Sequence, residues 1–179
     1  MRSATVSFLS SQPRAVPVPV RPHVLCIVGP PKAAKSDLIS RLVEALVSRG
    51  LRIGVVKRHA HPGFEVDREG KDSWRYYQAG AAGVIISAPD KLALIARRVR
   101  EMPLDEVVER FFADTDLVLA DGYARSSAPR VIVCASARDV KDFEGEGEVV
   151  VLVDASEGGE LQESDVMQVA AAIRERFGL

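Results

Sequence analysis

The first sustained apolar run, Val24 to Val28, is bounded by Pro22 and Gly29 and rich in β-branched residues, which predicts a strand buried on both faces. Leu38, Ile39, Leu42, Val43 and Leu46 then recur at three- and four-residue spacing. That spacing predicts a helix with one apolar stripe, ending near Gly50. Further apolar runs predict strands at Arg52 to Lys57, Val84 to Ile86, Leu92 to Ala96, Leu117 to Ala120, Val131 to Cys134 and Val149 to Val153. Helices are predicted around Ser73 to Ala79, Leu104 to Phe112 and Val166 to Phe177. Alternating strands and helices, with near-continuous apolar strands, point to a mostly parallel sheet covered on both faces. The Glu144 to Glu148 stretch, with its two glycines, reads as an exposed turn.

Composition narrows this picture. With 179 residues, 47% of them hydrophobic, the chain can bury one substantial core and is short for two domains. Met1 to Pro22 contains no acid and repeated Pro-Val steps, so residues 1–22 are expected to be a flexible tail before one domain at 23–179. Twenty-four basic and 25 acidic side chains nearly cancel, which argues against nucleic acid or an anionic membrane as a partner. No run approaches the roughly 18 apolar residues of a membrane span. A soluble, cytoplasmic protein is expected. Cys26 and Cys134 each sit inside an apolar run, as small core residues do, rather than in a disulfide or metal framework.

The candidate chemistry starts where the first strand ends. Gly29-Pro-Pro-Lys-Ala-Ala-Lys-Ser36 matches the phosphate-loop pattern G-x-x-x-x-G-K-[ST] at Gly29, Lys35 and Ser36, between a buried strand and an amphipathic helix. The expected fold is therefore a P-loop NTPase-like three-layer α/β sandwich. Its expected nucleotide-binding residues are Gly29, Pro30, Pro31, Lys32, Ala33, Ala34, Lys35, Ser36 and Asp37. Ala34 replaces the second glycine, and if that position needs a positive φ the alanine costs roughly 1–2 kcal/mol. Pro30 and Pro31 remove two N–H donors. Without further context, an ordinary strand-to-helix turn explains the same residues.

The Arg58 to Asp72 segment concentrates histidines, acids and bases in one long connection. Asp67 and Asp72 are candidate ligands for magnesium or its waters, and Arg58 and Lys71 candidate phosphate contacts. The plain alternative is a solvated loop with Asp72 or Ser73 capping the next helix. His59 and His61 suit hydrogen bonding to a substrate or partner better than zinc. Asp121 ends a strand and, in a parallel sheet, lies on the rim that carries the phosphate loop. It can hold magnesium opposite Ser36, or serve as a turn aspartate before Gly122. The expected metal residues are Ser36, Asp67 and Asp121; the expected switch or substrate residues are Arg58, His59, His61, Lys71 and Asp72.

Three ordered stretches resemble the molybdopterin-guanine dinucleotide biosynthesis protein B family, MobB. They are Lys57, His59 and His61 followed by Asp67, Gly70-Lys-Asp-Ser73 and Ala79-Gly-Ala81; Leu119-Ala-Asp-Gly-Tyr123; and Arg130-Val-Ile-Val133. The resemblance implies a GTP-binding, magnesium-dependent protein with weak GTPase activity, and it assigns no catalytic residue. It also implies a homodimer that assists a molybdenum cofactor guanylyltransferase. The departures are Pro31, Lys32 and Ala34 in the loop, Asp37 after it, and an aspartate at 121 where the family has glutamate. The chain has no asparagine, so the Asn-Lys-x-Asp guanine signature is missing and guanine preference rests on resemblance. Two other readings use the same residues: a degenerate scaffold without nucleotide turnover, and a small-molecule kinase with Arg97, Arg98 and Arg100 in a lid.

Overall fold

The computed structural model describes residues 21–31, 34–59, 61, 63–134, 136–155 and 161–179. The expected tail at 1–22 lies outside them except for Arg21 and Pro22. Seven strands and five helices follow one another among the described residues. Strand β1 (His23–Val28) leads to helix α1 (Lys35–Val47), β2 (Ile53–Lys57), α2 (Asp72–Gln78), β3 (Gly83–Ser87) and β4 (Leu92–Ala96). Then come α3 (Leu104–Phe111), β5 (Leu117–Asp121), β6 (Arg130–Cys134), α4 (Ala137–Phe143), β7 (Val149–Asp154) and α5 (Glu163–Phe177).

Five strands form one parallel sheet in the order β2-β5-β1-β6-β7. β1, β5 and β6 are central, and their buried side chains on both faces explain their unbroken apolar runs. On one face, α1 contributes Leu38, Ile39, Leu42 and Leu46, and α5 contributes Val166, Val169, Ala170 and Ile173. The other face packs Cys26, Val28, Ala120 and Ile132 against Leu104 of α3 and Val140 and Phe143 of α4. The three-layer α/β sandwich is therefore present. Both cysteines are free and buried, and burial pushes their thiols up from the usual range.

Three details differ from the sequence expectation. Among the described residues β3 and β4 pair only with each other, antiparallel, in a separate two-stranded sheet. Helix α4 carries no apolar stripe long enough to announce it; it forms because Ser136 and Asp139 cap it reciprocally, with Asp139 N–H donating to Ser136 Oγ (3.3 Å) and Ser136 N–H donating to Asp139 Oδ2 (3.0 Å). The Glu144 to Glu148 stretch is more than an exposed turn. Gly145 and Gly147 lie against the guanidinium of Arg130, which is completely buried.

That guanidinium has no carboxylate partner among the described residues. It donates instead to the carbonyl oxygens of Ala124 (3.0 Å), Phe143 (3.0 Å) and Ser126, so one side chain on β6 ties the turn after β5 to the end of α4. No helix among the described residues is long and apolar enough to cross a membrane.

Candidate functional site at the carboxyl rim of the sheet

The parallel register brings Ile27, Asp121 and Lys57 into one row at the carboxyl ends of β1, β5 and β2. Gly29 follows two residues beyond Ile27 and takes φ +151°. A Cβ there would stand 2.1 Å from the Val133 carbonyl oxygen, so the chain can turn from β1 towards α1 at this point only without a side chain. Lys32 and Ala33 lie outside the described residues. At Ala34, φ is −68° and ψ is 28°. Any L-residue adopts that φ, so the strain expected of an alanine at the second glycine position is not present in this conformation.

Ala34 occupies the N-cap of α1, and no side chain among the described residues caps the helix. The first-turn N–H groups of a 13-residue helix therefore face the loop without a side-chain acceptor, the arrangement that receives phosphate oxygens. Lys35 folds back over the loop, its Nζ donating to the carbonyls of Gly29 (3.0 Å) and Pro30 (2.5 Å). Partial burial holds the Lys35 ammonium below the usual lysine range, opposed by the charge of Asp121 and reinforced by that of Lys57. Ser36 is exposed on the first turn. Asp37 points its charge at Arg41 (3.6 Å), which also binds Glu163 at 2.7 Å.

Asp121 is 7% exposed, and its Oδ2 accepts from Lys57 Nζ at 2.6 Å. Lys57 is not among the residues that the sequence pattern assigned to the site. A lysine ending β2 and an acid ending β5 become neighbours only because β5 inserts between β1 and β2. The main chain is tied here as well, with Arg58 N–H donating to Asp121 O (3.0 Å) and Gly122 N–H to Ile27 O (3.1 Å). Gly29, Lys35, Asp121 and Lys57 thus form one cluster, with two cations for one anion.

The Arg58 to Asp72 residues are more dispersed. Arg58 makes a forked ion pair with Glu101. His59 directs Nδ1 at the His61 carbonyl oxygen (2.8 Å), and its ring lies 6.2 Å from that of His61 and 5.6 Å from Phe64. Asp67 Oδ1 accepts from the Arg68 N–H at 2.8 Å, while Asp67 Oδ2 is buried without a hydrogen-bond partner among the described residues. Lys71 is the N-cap of α2 without a capping side-chain bond, and Asp72 opens the helix 4.0 Å from Arg75. Neither Asp72 nor Ser73 caps the helix as the plain alternative for that loop supposed.

A magnesium ion takes oxygen donors and keeps several waters, so one or two protein ligands suffice. Two donors at this rim fit that demand, the hydroxyl of Ser36 and the carboxylate of Asp121, while Asp67, in the dispersed segment, has a buried oxygen without a partner among the described residues.

Similarity to known proteins follows the same residues. The family model described as molybdopterin guanine dinucleotide synthesis protein B matches residues 24–155, from β1 through β7. The chain belongs to this family. It is 33% identical over 111 residues to the molybdopterin-guanine dinucleotide biosynthesis adapter protein of Haemophilus influenzae, a match covering 62% of each chain. It is 33% identical over 102 residues to the Escherichia coli protein of the same name, covering 55% of this chain and 58% of that one. Both matches thus span less than two thirds of the relative's length. A crystal structure of molybdopterin-guanine biosynthesis protein B superposes with a TM-score of 0.68 at 32% identity, covering 87% of this chain and 99% of that one. As a MobB family member, the chain keeps the family's fold while carrying Pro30, Pro31 and Ala34 in its loop.

Proposed function

We propose that this MobB-type chain is a guanine-nucleotide-binding adapter in molybdenum cofactor biosynthesis, assisting the guanylyltransferase that attaches a guanine nucleotide to molybdopterin. The observation that carries the nucleotide part is the Gly29 to Ser36 turn. It presents an uncapped helix start beside Lys35, and among the described residues the Lys35 ammonium donates only to the loop's own carbonyls. Phosphate oxygens of GTP are stronger acceptors than those carbonyls, and Lys35 turns to them when they arrive. Lys57 supplies a second cation on the same rim. Magnesium, held by Ser36 and Asp121 with Asp67 as the further oxygen donor, would neutralise charge on the phosphates. The Asp121 carboxylate is engaged by Lys57, so it is poorly placed to activate water, and GTP hydrolysis is expected to be slow.

Calorimetry with GTP and magnesium tests this reading. Binding that weakens at least tenfold in Lys35→Ala is expected, the loss of one charge-assisted contact of about 1.5–3 kcal/mol. Absence of binding at millimolar GTP would leave a scaffold without nucleotide chemistry.

The adapter is proposed to act in the cytoplasm as a homodimer. The β3–β4 hairpin supports this: Ile85, Leu92 and Leu94 share one face and are 61%, 66% and 43% exposed, with Ile86 46% exposed on the other. The outer edge of each strand is also unpaired among the described residues, an arrangement natural proteins rarely leave beside apolar side chains. Sedimentation is expected to give a dimer that Ile85→Lys with Leu94→Lys converts to a monomer that still unfolds cooperatively, at a melting temperature lowered only by the loss of association. A wild-type monomer at micromolar concentration contradicts the assignment.

A further inference from the structure

The Gly122 to Ala128 turn, which follows Asp121, lines a cavity of about 900 Å3, large enough for a fused heterocycle with a charged substituent. Arg58 and Glu101 line it, together with the Tyr123 side chain, Arg125, and an apolar wall at Met102 and Leu104. Arg58 Nε donates to one oxygen of Glu101 at 2.6 Å and Arg58 Nη2 to the other at 3.0 Å. The Glu101 carboxylate is therefore already reading a pair of parallel N–H donors carried on a single carbon.

We propose that this cavity binds the 2-amino-4-oxopyrimidine edge shared by guanine and pterin rings, with Glu101 accepting the ring N–H and the 2-amino N–H in place of the Arg58 fork. That edge contains the same N–C–N unit as a guanidinium, so both hydrogen bonds to Glu101 are re-formed at the same spacing. The pair being displaced is half in water, with side chains 39% and 57% exposed. Exposed pairs of this kind contribute little to stability, so the exchange is accessible to a ligand of ordinary affinity. Arg58, released, remains at the mouth with Arg125 and meets the ligand's phosphate or carboxylate. The half-buried Tyr123 ring, within electrostatic reach of both Arg58 and Glu101, supplies a flat surface for the heterocycle. Hypoxanthine and adenine lack the amino group beside a ring N–H and cannot make the paired contact.

The assignment deepens the nucleotide reading above and rests on it for the guanine arm alone. Because the Arg58 main chain is bonded to Asp121, ligand in the cavity and phosphate at the loop share one turn.

The test uses the fluorescence of pterin-6-carboxylate titrated with the full chain, followed by displacement with GMP, IMP and AMP. Binding of the pterin, or of GMP by calorimetry, with at least tenfold discrimination against IMP is expected. Pterin alone identifies a second-ligand site, GMP alone a base pocket, and both outcomes support the shared edge. Glu101→Gln places an amide donor against the ligand's donors and should weaken binding at least tenfold; a thermal melt confirms that this exposed change leaves the fold intact. GMP and IMP both bound, with equal affinity, an unaffected Glu101→Gln variant, or no binding of either pterin or GMP at millimolar concentration overturns the proposal. A parallel GTP titration separates the two readings: pterin binding without GTP binding removes the phosphate-loop assignment and leaves this one standing.

Discussion

Replacing Arg130 with alanine is expected to destabilise the domain by about 3–5 kcal/mol, seen as a lower urea midpoint with an unchanged slope. The side chain is 0% exposed at the start of a central strand, and its guanidinium satisfies the carbonyls of Ala124, Ser126 and Phe143. Truncation removes the partner of three acceptors, each costing about 1–3 kcal/mol when buried and unpaired, with partial relief as water enters. It also leaves a void where Gly145 and Gly147 close on the guanidinium, so tightly that a methyl group added at either glycine would meet it at 2.4 or 2.7 Å. Arg130→Met separates the two effects: it fills the space but offers no donors, so most of the loss should persist. A Met variant as stable as the parent would show that packing alone holds the turn after β5 to the end of α4.

Gly29→Ala should abolish phosphate binding at the loop and lower stability by about 1–3 kcal/mol, read by GTP calorimetry and thermal melting. The added methyl meets the Val133 carbonyl oxygen at 2.1 Å, a contact that relieves only if the loop or β6 moves. A positive φ adds strain of its own. Moving the loop displaces the Gly29 and Pro30 carbonyls that hold Lys35. Retained affinity in this variant would mean that nucleotide does not depend on the turn. The second glycine position of the pattern behaves differently, since Ala34 sits at a φ open to any residue. Within one motif, the first glycine answers to a steric contact and the second tolerates replacement in this conformation.

Much of the fold was legible because burial leaves a periodic trace. The Leu38, Ile39, Leu42 and Leu46 stripe reappears as the buried face of α1, and the Leu117 to Ala120 run as a strand covered on both sides. The trace fails where other forces decide. Helix α4 depends on a polar capping pair in a segment without a stripe. The strands β3 and β4 read like members of the main sheet, because an apolar run does not reveal which edge it pairs with. Arg130 heads an apolar run and gives no sign that its charge is buried under two glycines of a later turn.

The placement of the candidate site was legible in part. The loop residues Gly29 and Lys35 and the acid Asp121 follow from motif and strand position, and they lie on one rim. The Lys57–Asp121 pair was not legible, because its partners are 64 residues apart and meet only through strand order. Glu101 was missed for the same reason: it lies in a polar segment before α3, and only tertiary folding brings it to Arg58.

Strand order also governs how the chain must fold. β1 and β2 are successive in sequence yet are not paired with each other, since β5 lies between them and supplies the pairing edge of each. A growing chain that has been synthesised only as far as β4 therefore holds two unpaired strands of the main sheet and a lone hairpin. Closure of the sheet waits for residues 117–121, and every earlier intermediate exposes the apolar edges of β1 and β2. Such long-range pairing slows folding, and it makes the arrival of β5 the first step that shields β1 and β2, with β6 and α5 still needed to cover the other edge of β1 and the α1 face.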